Sequence, residues 1–151
     1  MGKLQVAVAN SQDRIPCDEG AIESILASVL AGKVETAEIS VAVVSDDEIA
    51  ELNRRFLGRD GTTDVLAFPY ASENGRLEGE IVINADEAVR RAEDVAHDSQ
   101  DELMLYAVHG LLHLLGCDDA EPDDRRRMHQ QALDVLARAG RRLDPESLLE
   151  D

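Results

Sequence analysis

The stretch Glu102–Asp119, ELMLYAVHGLLHLLGCDD, decides how the rest of the chain is read. Ten residues between Glu102 and Cys117 are Leu, Met, Tyr, Ala or Val. They fall on every side of a helical period, so the pattern predicts a central, buried helix rather than a surface one. His109 and His113 interrupt this apolar rod four residues apart. That separation stacks their rings on one helical face, where two imidazoles can grip one metal ion. Gly116 ends the helix, because glycine takes a left-handed C-terminal conformation with little strain. The turn after it delivers Asp118 and Asp119 back toward the histidine face. A single histidine in an apolar helix is commonly a core residue satisfied by one hydrogen bond. Two at this spacing, followed by a glycine stop and a carboxylate, are read as a metal site. Burying two unpartnered imidazoles costs about 1–3 kcal/mol each, and a shared cation would supply the partners.

The chain has 151 residues, the size of one domain with one core, and residues 1–151 are read as a single unit. No apolar run is long enough to span a membrane, and the start MGKLQVAVAN lacks the regions of a signal peptide, so a cytoplasmic protein is expected. Cys17 and Cys117, far apart in sequence, are read as free thiols in that compartment. Thirty-two acidic against fifteen basic residues give a formal net charge of −17. This opposes loose, general binding to nucleic acid. An enzyme acting on a polyanion with this charge needs a local basic patch, a protein that delivers the substrate, or a salty cell that screens the surface.

Around the central stretch the remaining elements follow in order. Leu4–Asn10 alternates as a strand. Asp18 caps a helix carrying Ile22, Ile25, Leu26, Val29 and Leu30 inward, stopped at Gly32. Glu38–Val44 is a β-branched inner strand, and Ser45-x-x-Glu48 is a capping box opening a helix to about Phe56. A polar loop from Leu57 to Thr63 follows. Val65–Phe68 is a short strand that Pro69 places at or near an edge. Asn74-Gly75 is a hairpin turn within a polar excursion, and Glu80–Asn84 returns antiparallel. Asn84-x-x-Glu87 caps a helix, and Ser99-x-x-Glu102 is a capping box for the histidine helix, which makes Glu102 a cap. Pro122 starts a last helix with Met128, Ala132, Val135 and Leu136 inward. Arg125, Arg126 and Arg127 form a basic cluster on it that could touch phosphate, partly neutralised by Asp123 and Asp124. The fold expected is α/β of the α+β kind: a small mixed sheet of about four strands packed on a buried metal-binding helix.

Two families share the histidine spacing. His109-x-x-x-His113-x-x-Gly116-x-x-Asp119 resembles the zinc site of the metzincin proteases, except that those enzymes need a Glu directly after the first histidine and position 110 is Gly. The closer resemblance is to the YbeY family of bacterial endoribonucleases, whose signature H-G-x-L-H-L-x-G-x-D-H is matched from His109 onward until Asp119 replaces its last histidine. A second block, Leu52-Asn53-x-x-Phe56-x-Gly58-x-Asp60-x-x-Thr63-Asp64-Val65-Leu66-Ala67-Phe68-Pro69, is similar to the family's upstream signature, and Gly79-Glu80-Ile81-Val82-Ile83 to its following strand. The resemblance runs from about Ile39 to Leu136.

It implies a zincin-like core and a metal-dependent, single-strand-specific endoribonuclease acting in ribosomal RNA maturation and ribosome quality control. The metal ligands it implies are His109, His113 and Asp119; apart from the resemblance, His129 on the last helix is a reserve candidate for the third. One zinc ion is expected, and a carboxylate in place of the third imidazole shifts preference toward harder ions such as manganese. The implied partners are single-stranded RNA, a ribosomal RNA precursor, and the small ribosomal subunit or its proteins, with no membrane. The family carries a functional arginine directly after the aromatic position, where this chain has Leu57. Arg55 and Arg59 flank it as candidate substrate-binding residues, and a mobile loop would let Arg59 reach the scissile phosphate. Asp118 is a candidate orienting group or proton acceptor. Two alternatives stay open: a metalloprotease of metzincin-like geometry, disfavoured by Gly110, and a non-catalytic ribosome-assembly factor, favoured by Leu57 and Asp119.

Overall fold

The computed structural model describes residues 3–95, 98–117 and 120–141. Along the chain these form β1 (Lys3–Asn10), α1 (Glu19–Leu30), β2 (Thr36–Val44), α2 (Asp46–Leu57), β3 (Val65–Glu73) and β4 (Arg76–Asn84). Three helices follow: α3 (Ala85–Val95), α4 (Ser99–Leu114) and α5 (Pro122–Arg138). One four-stranded sheet has the order β1-β2-β4-β3. The first three strands in that order run parallel, and β3 is antiparallel to β4, so the sheet is mixed as expected. Among the described residues no helix is long and apolar enough to cross a membrane.

The hairpin is longer than its composition suggests. Residues 69–79, read as a polar excursion, continue both strands up to a two-residue turn at Asn74 (φ 54°) and Gly75 (φ 76°). Positive φ at both central residues makes the type I′ twist that matches paired strands, so the hairpin extends through polar residues. Pro69 lies on β3, an edge strand, and the register shifts between Pro69 and Ala71.

The inner strand β2 sends Ile39, Val41 and Val43 to the face covered by α1, α4 and α5. Val44 joins Ile49, Leu66 and Val82 on the opposite face, beneath α2. Helix α4 is the rod its composition predicts: Leu103, Leu105, Val108 and Leu111 are fully buried. It also lies unusually close to the sheet. A Cβ on Gly110 would stand 2.5 Å from Ile81 Cγ2 and 3.2 Å from Val65 Cγ2. Position 110 therefore faces the sheet, and a glutamate there would be driven into the core. This geometry removes the place of the metzincin base. At the far end, Gly116 (φ 95°) closes α4 in a Schellman turn, with Gly116 N–H donating to His113 O and Cys117 N–H to Leu112 O.

Helices α2 and α3 are joined by a fork. Arg90 donates from both terminal nitrogens to Asp46, at 2.8 and 2.9 Å, and the buried Asn84 amide donates to Asp46 at 2.8 Å. Arg90 above all holds the Asp46 carboxyl down at about 2, against an ordinary 3.8. A depressed carboxylate contributes stability that is complete above its unfolded value and lost as pH falls through its folded one. Arg90→Ala is therefore expected to cost about 1 kcal/mol at neutral pH, the partial exposure of both groups discounting the full shift. That cost should disappear as pH falls from about 4 toward 2, read as converging urea midpoints of parent and variant.

Candidate active site

Helix α4 presents four polar side chains in one line. Glu102, Tyr106, His109 and His113 recur at helical spacing, and all four line a single cavity of about 660 Å³. The histidines thus share one face of one helix over one cavity, as their spacing predicts. Glu102 is not a cap. Asp98 caps α4 instead, its Oδ1 accepting from Gln100 N at 2.9 Å, while Glu102 is 1 % exposed and faces the cavity. The physical reason is that the chain enters α4 one residue earlier than the Ser-x-x-Glu pattern implies, which rotates Glu102 off the helix end.

The opposite wall comes from the loop after α2, from the start of β3 and from α5. The loop is pinned by two buried asparagines: Asn53 donates to Gly61 O at 3.1 Å, and Asn84 to Thr63 O at 3.1 Å. Arg59 lines the cavity as the loop stands, so it needs no swing of the chain to reach it. Leu57, at the position of the expected arginine, lines the same wall, and Asp64 lies at the foot of β3. Arg55 does not line the cavity; its guanidinium lies 5.6 Å from the centre of the Phe56 ring. Within the Arg125–Arg127 cluster, Arg126 is tied to Asp123 and Arg127 to Asp124, while Arg125 lines the cavity. Neither Arg59 nor Arg125 makes an ion pair among the described residues. The cavity wall thus carries cations in an acidic chain, beside the carboxylates of Asp64 and Glu102.

Burial tunes two further groups. The His129 ring lies 5.8 Å from that of His109, and burial, followed by the effect of His109, pushes its pKa down to about 4. It is neutral at physiological pH. The Tyr106 hydroxyl is pushed well up, first by burial and then by the charges of Glu102 and Asp64, so it stays protonated.

Asp118 and Asp119 lie outside the described residues. Among the described residues no group of three or more His, Cys, Asp and Glu side chains is gathered tightly enough to hold a metal. His109 and His113 themselves fit a borderline cation: two imidazoles fixed by a buried helix, facing a polar cavity. Cys17 and Cys117 are free thiols, as expected.

Tyr106, Asp64 and Arg91 belong to this cavity without having been expected there from the sequence, Glu102 lines it in place of capping the helix, and Arg125 reaches it from the basic cluster of α5. For the α4 pair a signal existed. Residues 102, 106, 109 and 113 form a polar line along an otherwise apolar helix, and a polar line on a buried rod marks a cavity. The basic cluster does not say which of its arginines faces the cavity, and nothing local places Asp64 or Arg91 there, because only the packing of β3, α3 and α5 on α4 brings these residues together.

Comparison with known proteins agrees with this geometry. The family model described as Endoribonuclease YbeY matches residues 7–140. A curated Endoribonuclease YbeY of Thermobifida fusca is 38% identical over 155 residues, covering 95% of this chain and 99% of that protein. One from Salinispora tropica is 42% identical over 120 residues, covering 70% of this chain and 76% of the relative. The solution structure of TM1509 from Thermotoga maritima shares the fold, with a TM-score of 0.63 at 24% identity, covering 90% of this chain and 92% of that one. A match across nearly all of the described chain, with both histidines of α4 in the matched span, shows that this chain belongs to the endoribonuclease YbeY family.

Proposed function

We propose that the chain cuts single-stranded RNA within ribosomal RNA precursors, using one divalent ion, zinc in preference to manganese, held by His109, His113 and Asp119. The observation that carries this reading is the polar line of α4 facing Arg59 and Arg125 across one cavity. A divalent ion bound there supplies Lewis acidity toward water and phosphate oxygen. Arg59 and Arg125, which make no ion pair among the described residues, bring positive charge to the scissile phosphate through charge-assisted hydrogen bonds. The protonated Tyr106 hydroxyl donates to a non-bridging phosphate oxygen. The carboxylates of Glu102, Asp64 and Asp118 are the groups able to take the proton released as the attacking oxygen bonds to phosphorus and to return it to the leaving ribose oxygen as the strand's phosphorus–oxygen bond breaks. Residues 1–151 act as one unit in the cytoplasm, and the acidic surface away from the cavity suits docking on basic proteins of the small ribosomal subunit.

The test is cleavage of a labelled single-stranded RNA, compared with the same sequence in a duplex, with metal chelated and then restored. Cleavage confined to the single strand, lost on chelation and recovered with zinc, is the expected result. In the same assay Arg59→Ala should lower the rate on the order of 10- to 100-fold, the worth of one charge-assisted hydrogen bond. Co-sedimentation with the small subunit in the absence of any metal-dependent cleavage would instead make the chain an assembly factor. Leu57 in the cavity wall is what keeps that reading in view.

A further inference from the structure

The chain has two Phe, two Tyr and no Trp. Two of these aromatic side chains meet beside the cavity, and a third is tied to them through Glu80. The rings of Phe56 and Phe68 lie 5.8 Å apart, edge to face. Glu80 is opposite Phe68 across the β3–β4 ladder, and the Tyr70 hydroxyl donates to its carboxylate at 3.4 Å, which places Tyr70 at the same spot. Phe56 is 60% exposed, Tyr70 68% and Leu57 45%, and these are the exposed large apolar side chains among the described residues. Aromatic side chains are costly to leave in water, so a cluster made of most of a chain's rings needs an occupant.

The backbone turns these rings outward. At the register shift between Pro69 and Ala71, Tyr70 drops out of the pairing of an edge strand, and a bulge of this kind re-aims a side chain. Phe56 and Leu57 form the last residues of α2, ahead of the pinned loop. The surface continues into the cavity, because Leu57 and Arg59 line the cavity wall directly after Phe56. It is also flanked by cations: Arg55 lies over Phe56, and neither Arg55 nor Arg59 makes an ion pair among the described residues.

We propose that Phe56 and Tyr70 form a stacking platform for unpaired RNA bases, outside the cleavage cavity and joined to it by Leu57 and Arg59. The inference rests on the reading that the cavity cuts RNA. Every base offers a flat face to an aromatic ring, and stacking is tolerant of sequence. A base in a duplex has that face covered, so the platform selects single strands. It also answers the charge problem. A chain of net charge −17 gains little from general phosphate attraction, and stacking binds RNA without it. Arg55 and Arg59 on the cavity side suit the phosphates between stacked bases, while the Glu80 carboxylate is engaged by the Tyr70 hydroxyl.

The test measures binding of a short labelled RNA to the full chain carrying His113→Ala, so that the strand stays uncut. Tyr70→Ala and Phe56→Ala should each weaken single-strand binding about tenfold. Phe56→Trp should retain it, and weak duplex binding should not change. Tyr70→Ala removes a mostly exposed ring and tests the platform without disturbing the Phe56–Phe68 contact. Unchanged single-strand binding in Tyr70→Ala and Phe56→Ala overturns the proposal, as does an equal loss for duplex and single strand. So does RNA binding that is kept while binding to ribosomal proteins is lost, which would make the surface a protein dock. In each of these cases a parent that still cuts RNA leaves the cleavage reading standing. A parent that neither binds nor cuts single-stranded RNA overturns both.

Discussion

His113→Ala is expected to lower RNA cleavage by more than about 10²-fold while the protein stays folded. Changes to groups that merely orient a metal ligand already cost about 10- to 100-fold, and His113 is proposed to donate to the metal itself. The side chain is half-buried at the last turn of α4 and borders the cavity, so its loss leaves the apolar side of the helix intact. Single-turnover cleavage, elemental analysis and a melting curve on the same preparation check all three parts. Asp119→Ala and His129→Gln extend the measurement. Metal lost from the first and kept by the second assigns the third donor to Asp119. The reverse assigns it to His129, whose neutral imbedded ring lies beside His109. A parent that takes up no metal would make the histidines packing residues and overturn the proposed chemistry.

The second large effect falls on stability. Gly110→Ala is expected to destabilise the protein by about 2 kcal/mol, although alanine is the better helix former by about 1 kcal/mol. The added Cβ would overlap Ile81 Cγ2, an atom of a β-branched side chain that is fully buried and restricted in its rotamers. Either α4 lifts from the sheet or the strand bends. At this chain length the loss should appear as a melting temperature about 6 °C lower. Ile81→Ala in the same chain removes the clashing atoms, so the double variant should lose less than the sum of the two single variants. A stabilised Gly110→Ala would show that the contact relaxes freely. For the same reason Gly110→Glu should yield a damaged protein and no peptidase, since the new carboxylate would point into the sheet.

The two predictions concern adjacent turns of one helix, and they separate what was legible in the sequence from what was not. The helix, its burial, the paired histidines and the glycine stop all follow from composition and spacing. These properties depend on residues within one or two turns, where helical geometry maps sequence distance onto space. The mixed sheet was legible for a similar reason: a short connection forces β3 and β4 to pair antiparallel, and Pro69 suits an edge. Glu102 escapes the capping pattern because that pattern is tolerant by one residue, and here Asp98 takes the cap.

The rest depended on contacts between elements remote in the chain. Arg125 and Arg59 reach one cavity from α5 and from the loop after α2, and Asp64 joins them from β3. No period in the sequence connects these positions. That Gly110 is a contact glycine, rather than simply an absent catalytic base, became visible once α4 was seated on Ile81. By itself the sequence determined the buried helix, its two imidazoles and the family signature, because local spacing encodes a helical face. The tertiary structure decided which cations, carboxylates and exposed rings that face meets, because the packing of helices and strands on one another is a property of the whole core.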